Sequence, residues 1–170
     1  MSFHDSLTGL YNRAYFDEEL IRLASGRFNP IGLISIDIDG LKLVNDNLGH
    51  AMGDSLLMNF GRILKMSFRE CDVLARMGGD EFAIIIPHCS VDIIEQACQR
   101  LNRNIMNYNE SQTDLPMSIS MGWSIKNLQI SNNIAEIIKE ADVKMYAEKP
   151  LNHSKYVDIF KEWLSNVGKM

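Results

Sequence analysis

Two apolar segments rich in β-branched residues flank a pair of glycines in the stretch DVLARMGGDEFAIIIP, residues 72–87. Such segments favour strands, and Gly78 and Gly79 can take the positive φ angles that a tight turn requires. We therefore predict two antiparallel strands joined at residues 77–80. The fold must contain a sheet that this hairpin can join.

Other short apolar segments supply further strands. Residues 31–38, IGLISIDI, are apolar almost throughout, which is typical of a central strand. Residues 117–125, MSISMGWSI, predict another strand. Residues 155–160, KYVDIF, are compatible with a final strand or with the start of a short C-terminal helix.

Apolar residues at helical spacing predict the helices between these strands. The predicted helices follow a cap at Asn12, cover roughly residues 47–66, and follow a cap at Ser90. A last helix is predicted to start at Ser131 or Asn132, with its buried face within residues 134–145. Helices packed against one mainly antiparallel central sheet, an α+β arrangement, are the expected fold.

Size and charge limit the function. The chain has 170 residues, 46% of them hydrophobic, which suits a single domain over residues 1–170. Its net charge of −5 argues against a nucleic-acid surface, whereas metal ions could still recruit a small phosphorylated ligand. Three cysteines without CxxC spacing indicate a reduced, cytoplasmic setting. No apolar run reaches the ~20 residues of a membrane span, so we expect no membrane contact.

Acidic pairs stand at two strand ends that can meet. The first strand ends in Asp37 and Asp39, and the hairpin tip carries Asp80 and Glu81. Two carboxylates about 4 Å apart would repel by roughly 4 kcal/mol at an effective dielectric near 20. Divalent cations remove that penalty, and oxygen ligands without a His or Cys cluster favour Mg²⁺ or Mn²⁺.

Simpler interpretations exist for each half of this pattern. Asp37 and Asp39 could form a strand-ending Asx turn, and the glycines could serve an ordinary hairpin. Neither interpretation explains why both ends are acidic.

Residues 78–82, GGDEF, spell the signature of the GGDEF family, the diguanylate cyclases, which the chain resembles along nearly its whole length. Four further stretches carry the resemblance: DSLTGLYNR (5–13), DIDGLKLVNDNLGHAMGD (37–54), SISMGWS (118–124) and ADVKMYAEK (141–149). Several ordered motifs are far more specific than the signature alone.

The resemblance implies a fold related to the palm of nucleotidyl cyclases and polymerases, with a ferredoxin-like core. It implies that two GTP molecules condense to cyclic di-GMP with loss of two pyrophosphates. Asp37, the carbonyl of Ile38 and Asp80 would hold two Mg²⁺ or Mn²⁺ ions per active site. Asp80 would promote deprotonation of the attacking 3′-hydroxyl, and Glu81 would assist at the metal or the nucleotide.

The resemblance also places residues around the substrate. These are Asn45 and Asp54 at the guanine, Lys42 and Lys149 near the phosphates, His50 in the helix-entry motif, and the bare backbone of Gly78 and Gly79. Guanine presents two N–H donors to a carboxylate, a pattern that adenine lacks. Without the motif, Asp54 would be a solvated helix residue and the lysines ordinary surface residues.

Two departures from the family pattern stand out. His153 occupies the position where the family usually has an Arg that grips the triphosphate, and a His gives no bidentate fork. Lys155 is a possible substitute. Leu41 stands where Phe is frequent. The alternative to an active enzyme is a catalytically weak domain that senses GTP or cyclic di-GMP.

Arg69 and Asp72, in the stretch RECD, precede Gly78 at a spacing that resembles the family's inhibitory product site. Arg69 could bind a phosphate or a guanine edge, and Asp72 could accept from guanine. The alternative is a surface ion pair. A second expected ion pair joins Asp5 to Arg13.

The resemblance finally implies partners. Each active site holds one GTP, so turnover would need a homodimer. Family members usually follow a sensory or receiver domain, and we expect this chain to be a fragment of a longer signalling protein.

Overall fold

The computed structural model describes residues 2–111, 114–131 and 133–167. In chain order, the elements are α1 (Arg13–Ser25), β1 (Ile31–Ile38), α2 (Leu41–Leu48), α3 (His50–Ser67), β2 (Val73–Gly78), β3 (Glu81–Ile86), α4 (Val91–Ser111), β4 (Ile119–Lys126), α5 (Leu128–Ser131) and α6 (Ile134–Val167).

The strands form one sheet in the order β2-β3-β1-β4, and every neighbouring pair is antiparallel. β1 is buried along its whole length, as predicted for a central strand. A β-α-β-β-α-β chain order with this strand order is ferredoxin-like. The predicted α+β fold is confirmed.

Alternate side chains of β1 contribute to two apolar cores. Ile34 and Ile36 lie in the larger core with residues of α3 and α4. Ile31 and Leu33 lie in the smaller core with residues of α1 and the first part of α6. Helices on both faces therefore bury the strand, which fixes the position of its C-terminal end.

Two predicted caps are present. Oδ1 of Asn12 accepts from the backbone N–H of Tyr15 over 3.0 Å, at the start of α1. Oγ of Ser90 accepts from the N–H of Ile93 over 3.2 Å, at the start of α4. Each polar side chain satisfies a donor that has no partner within the helix.

The helix predicted over residues 47–66 is wrong in its bounds, because two helices occupy this region. Gly49 separates them with a φ of 90°, a conformation that favours glycine. Its N–H donates to the carbonyl of Asn45 over 3.0 Å and ends α2. A pattern of apolar spacing alone does not reveal this change of direction.

A final strand at residues 155–160 is also wrong. These residues belong to α6, which has 34 residues and contains Pro150. Tyr156 and Phe160 are both buried, and a spacing of four fits a helix as well as a strand. The helical alternative is correct in type, although the helix is much longer than predicted.

The N-terminal segment covers the outer edge of β2. The N–H of Tyr11 donates to the carbonyl of Leu74 over 3.1 Å, and the N–H of Arg76 donates to the carbonyl of Tyr11 over 2.9 Å. This edge of the sheet is therefore paired by backbone.

Side chains of α6 cover the outer edge of β4. Glu148 accepts from the N–H of Met121 over 3.1 Å, and Nζ of Lys144 donates to the carbonyl of Trp123 over 3.0 Å. Side chains thus take the place of a neighbouring strand. Among the described helices, none combines the length and the apolar character of a membrane span.

Candidate active site

Pairing of β1 with β3 brings the two acidic pairs together. Asp37 lies opposite Glu81 in the strand register. The N–H of Ile38 donates to the carbonyl of Asp80 over 3.0 Å. Carboxylate oxygens of Asp37, Asp80 and Glu81 all lie within 4.8 Å of one another. We call these three residues the acidic cluster.

Asp37 is the buried member of the acidic cluster, with 1% of its surface exposed. Burial and, after it, the nearby Asp80 raise the pKa of its carboxyl to about 7, although Lys149 opposes the rise. Its Oδ1 atom has no hydrogen-bond partner among the described residues. A buried, unpartnered oxygen beside two more carboxylates fits a divalent cation with oxygen ligands.

Gly78 and Gly79 form the turn before the acidic cluster, with φ angles of 148° and 48°. The predicted positive φ angles are present. A Cβ atom built on either glycine would meet no atom within 4 Å. The turn backbone therefore faces open space, where another molecule can approach closely.

Asp39 has a different environment from Asp37. It is buried, and its two oxygens accept from Oγ of Ser118 over 2.7 Å and Oγ of Ser120 over 2.8 Å. Asp39 therefore fastens the end of β1 to β4. Sequence reasoning grouped the two aspartates, and only the fold separates them.

The chain matches the family model described as "Diguanylate cyclase, GGDEF domain" over residues 2–155. It belongs to the GGDEF domain family. The GGDEF domain is 33% identical over 150 residues to the probable diguanylate cyclase DgcE of Escherichia coli, covering 86% of this chain and 14% of DgcE. It is 30% identical over 158 residues to the diguanylate cyclase VdcA of Vibrio cholerae, covering 91% of this chain and 46% of VdcA. The chain thus spans less than half the length of either relative.

A solved structure shares this fold and has a bound nucleotide. The GGDEF domain of DgcB from Caulobacter crescentus, in complex with c-di-GMP, matches with a TM-score of 0.78 and 26% identity. The match covers 88% of this chain and 91% of that chain. The likeness extends over almost all of both domains.

The residues predicted to read guanine lie where α2 meets α3 in this GGDEF domain. Oδ1 of Asn45 is buried without a hydrogen-bond partner among the described residues. It faces Gly53, where any side chain would collide with it. Asp54 follows Gly53 and is exposed, as is His50 at the start of α3. Sequence reasoning missed the contribution of Gly53, because a helix interior gives glycine no obvious role.

Of the two predicted phosphate lysines, one lies at the acidic cluster. Nζ of Lys149 donates to Oδ2 of Asp37. Lys42 instead pairs with Asp46 over 3.0 Å, and 90% of the Lys42 side chain is exposed. His153 and Lys155 are exposed on α6.

Arg69 and Asp72 lie apart from the acidic cluster, before the opposite end of β2. Asp72 accepts from the N–H of Arg69 over 2.9 Å and from Nη2 over 3.3 Å. Its side chain is 2% exposed, whereas that of Arg69 is 52% exposed. Both oxygens of Asp72 are engaged, so Arg69 is the accessible member. A cavity of about 350 Å³ adjoins both residues.

The expected ion pair between Asp5 and Arg13 is wrong. Asp5 pairs with Arg76 over 3.2 Å, and Arg13 pairs with Asp17 over 3.9 Å. Asp5 also accepts from the N–H and Oγ1 of Thr8, which closes the N-terminal turn. The three-residue spacing of Asp5 and Thr8 in the sequence is typical of such a turn. No feature of the sequence near Asp5 predicts its ion pair with Arg76.

Proposed function

We propose that this GGDEF domain is a diguanylate cyclase that condenses two GTP molecules into cyclic di-GMP and releases two pyrophosphates. The observation that carries the proposal is the acidic cluster, whose buried member, Asp37, has an unpartnered oxygen. The open backbone of Gly78 and Gly79 lies directly beside it. Relatives named as diguanylate cyclases support the same reaction.

Asp37, the carbonyl of Ile38 and Asp80 would hold two Mg²⁺ or Mn²⁺ ions. Such ions neutralise phosphate charge and help to deprotonate a hydroxyl at neutral pH. Asp80 accepts the proton of the attacking 3′-hydroxyl, and Glu81 assists beside it. Lys149 contacts the phosphates, and the glycine turn allows the nucleotide to approach the cluster.

Base recognition falls to Asn45 and Asp54. The exposed Asp54 carboxylate accepts from the N1–H and N2–H of guanine, while the orphan oxygen of Asn45 provides a further acceptor. His50 and Lys42 are exposed and border the same α2–α3 region. An adenine nucleotide would leave these acceptors unpaired, which disfavours its binding.

Each domain offers one acidic cluster among its described residues, so condensation of two GTP molecules requires a homodimer. The matched segment is 14% of DgcE and 46% of VdcA. This supports a role as one module of a longer signalling protein, next to a sensory or receiver domain. We place the reaction in the cytoplasm, where GTP is available.

We further propose that cyclic di-GMP inhibits the domain by binding at Arg69 and Asp72. The complex of the DgcB domain with c-di-GMP supports binding of this ligand by the fold, and the half-exposed guanidinium of Arg69 supports this site. The second candidate function is a catalytically weak sensor of GTP or cyclic di-GMP. His153, which replaces the usual phosphate-binding Arg, favours that candidate.

Incubation of the purified domain with GTP and Mg²⁺ tests the proposal, with products separated by chromatography. An active cyclase yields cyclic di-GMP and pyrophosphate in a 1:2 ratio, and Asp80→Ala yields neither. A domain that binds cyclic di-GMP but forms none at any protein concentration is the sensor.

A further inference from the structure

Lys149 is the cation that the fold brings to the acidic cluster. It reaches Asp37 from α6, across 112 positions of sequence. Among the described residues, this contact is the one ion pair that the acidic cluster makes. The Asp37 side chain is 1% exposed and that of Lys149 is 38% exposed, so Lys149 is the solvent-accessible member of the pair.

The contact uses the same carboxylate that a divalent ion would use. Oδ2 of Asp37 accepts from Lys149, whereas Oδ1 is buried and has no hydrogen-bond partner among the described residues. An ammonium group on Oδ2 and a divalent cation on Oδ1 would repel each other at such short range. Each therefore weakens the binding of the other at Asp37.

Lys149 has a second neighbour, the ring of Tyr146, while it contacts Asp37. Its Nζ lies 5.9 Å from the centre of the Tyr146 ring, and Tyr146 is 51% exposed. An aromatic face within about 6 Å stabilises an ammonium group. The side chain can therefore leave Asp37 for the solvent side without losing every partner.

We propose that Lys149 is a counter-cation of the metal site. In the metal-free domain Lys149 neutralises Asp37. When a divalent ion takes its place, Lys149 moves towards the phosphates of the nucleotide. The inference rests on the proposed function for the identity of the nucleotide, and on the Asp37 contact for the exchange itself. The metal releases the ammonium group of Lys149 from Asp37, and the phosphates of the nucleotide stabilise the released ammonium. Metal and nucleotide therefore favour each other's binding.

Binding of Mn²⁺ alone, followed by electron paramagnetic resonance of the free ion, tests the exchange without turnover. Lys149→Gln removes the competing charge, so we expect Mn²⁺ to bind about tenfold more tightly than to the wild type. Lys149→Arg keeps the charge and should stay within about threefold of the wild type. Unchanged or weaker Mn²⁺ binding by Lys149→Gln overturns the proposal.

Lys139→Gln is the matched control. It removes an exposed lysine of the same helix, ten residues and about 15 Å from Lys149 along the axis. If it tightens Mn²⁺ binding as much as Lys149→Gln does, net charge explains the effect and the exchange is refuted.

The unmodified domain gives a second test that needs no variant. Amine-selective acetylation, read by mass spectrometry, should modify Lys149 at least about threefold faster with Mn²⁺ than without it, since the released ammonium loses its carboxylate partner. The rate at Lys139 should not change. Equal rates at Lys149 with and without Mn²⁺ overturn the proposal.

These measurements separate the inference from the proposed function. A domain that shows the Mn²⁺ effect but makes no cyclic di-GMP refutes the proposed cyclase and supports the exchange. A domain that makes cyclic di-GMP but shows no Mn²⁺ effect supports the cyclase and refutes the exchange.

Discussion

Arg76 holds the carbonyl oxygen of Gly79 in a fork, with Nε donating over 3.0 Å and Nη2 over 2.9 Å. The same guanidinium donates through Nη1 to Asp5 over 3.2 Å. Asp80 and Glu81 follow Gly79 directly. One side chain thus ties the position of the acidic cluster to the N-terminal segment.

Replacement of Arg76 tests this tie. Arg76→Ala should lower the free energy of unfolding by about 2 kcal/mol, since a hydrogen bond to a charged group contributes roughly 1.5–3 kcal/mol. Arg76→Lys keeps the charge at Asp5 but loses the fork at Gly79. Arg76→Lys should therefore slow cyclic di-GMP formation markedly, while its free energy of unfolding in urea stays closer to the wild-type value than that of Arg76→Ala. Full turnover by both variants would contradict a role in positioning the turn.

The ion pair of Asp5 predicts a dependence of stability on pH. Burial raises the pKa of Asp5, but its hydrogen bonds to Thr8 and the charge of Arg76 outweigh burial, so the pKa lies below its ordinary value. Its stabilising contribution is therefore complete above the unfolded value of about 3.9 and is lost as pH falls through the lower folded value.

Urea denaturation of wild type and Asp5→Asn measures this contribution directly. The difference in their free energies of unfolding should be largest near neutral pH and should shrink below about pH 4. Asp17→Asn is the control, because Asp17 is exposed and pairs loosely with Arg13. A difference that stays constant down to pH 3 would show that the charge of Asp5 has no part in its effect.

We expect the Asp80 side chain to be dispensable for the fold. The N–H of Ile38 donates to the backbone carbonyl of Asp80, so Asp80→Ala keeps this link between β1 and the turn. The variant also relieves repulsion within the acidic cluster. We expect cyclic di-GMP formation to be abolished while the melting temperature stays equal or rises. Turnover at the wild-type rate would refute the catalytic role of Asp80.

Guanine selectivity should depend on Asp54. Loss of a charged hydrogen-bond partner costs about 1.5–3 kcal/mol, so Asp54→Ala should weaken GTP binding by about tenfold or more while ATP binding changes little. Asp46→Ala is the control on α2, since Asp46 pairs with Lys42 at the surface. Calorimetry that shows equal weakening for GTP and ATP would exclude base reading by Asp54.

Product binding should depend on Arg69. The wild-type domain is expected to bind cyclic di-GMP with micromolar or better affinity, and Arg69→Ala should remove that binding while Mn²⁺ affinity stays unchanged. Arg62→Ala is the matched control on α3, because Arg62 contacts Asn59 at the exposed surface. Unchanged affinity of Arg69→Ala for cyclic di-GMP in calorimetry would defeat the inhibitory-site proposal.

Local pattern was enough to predict the elements that build the site. β-Branched runs around Gly78 and Gly79 predicted the hairpin. The apolar run of residues 31–38 predicted the central strand beside it. The break at Gly49 and the course of α6 through Pro150 were not predictable in this way, because packing rather than periodicity decides them. Buried contacts over long distances in sequence, such as Asp5 with Arg76 and Asp37 with Lys149, likewise follow from the tertiary fold.

The covered edges of the sheet determine how two such domains can associate. Tyr11 pairs with the outer edge of β2, while Glu148 and Lys144 bond to the outer edge of β4. An open edge would let a second copy add its strands and form a permanent, continuous sheet. With both edges covered, two copies would meet through side chains, and a net charge of −5 on each would make that encounter sensitive to salt. The homodimer that we propose for synthesis is therefore expected to form and separate without any strand exchange between the two sheets.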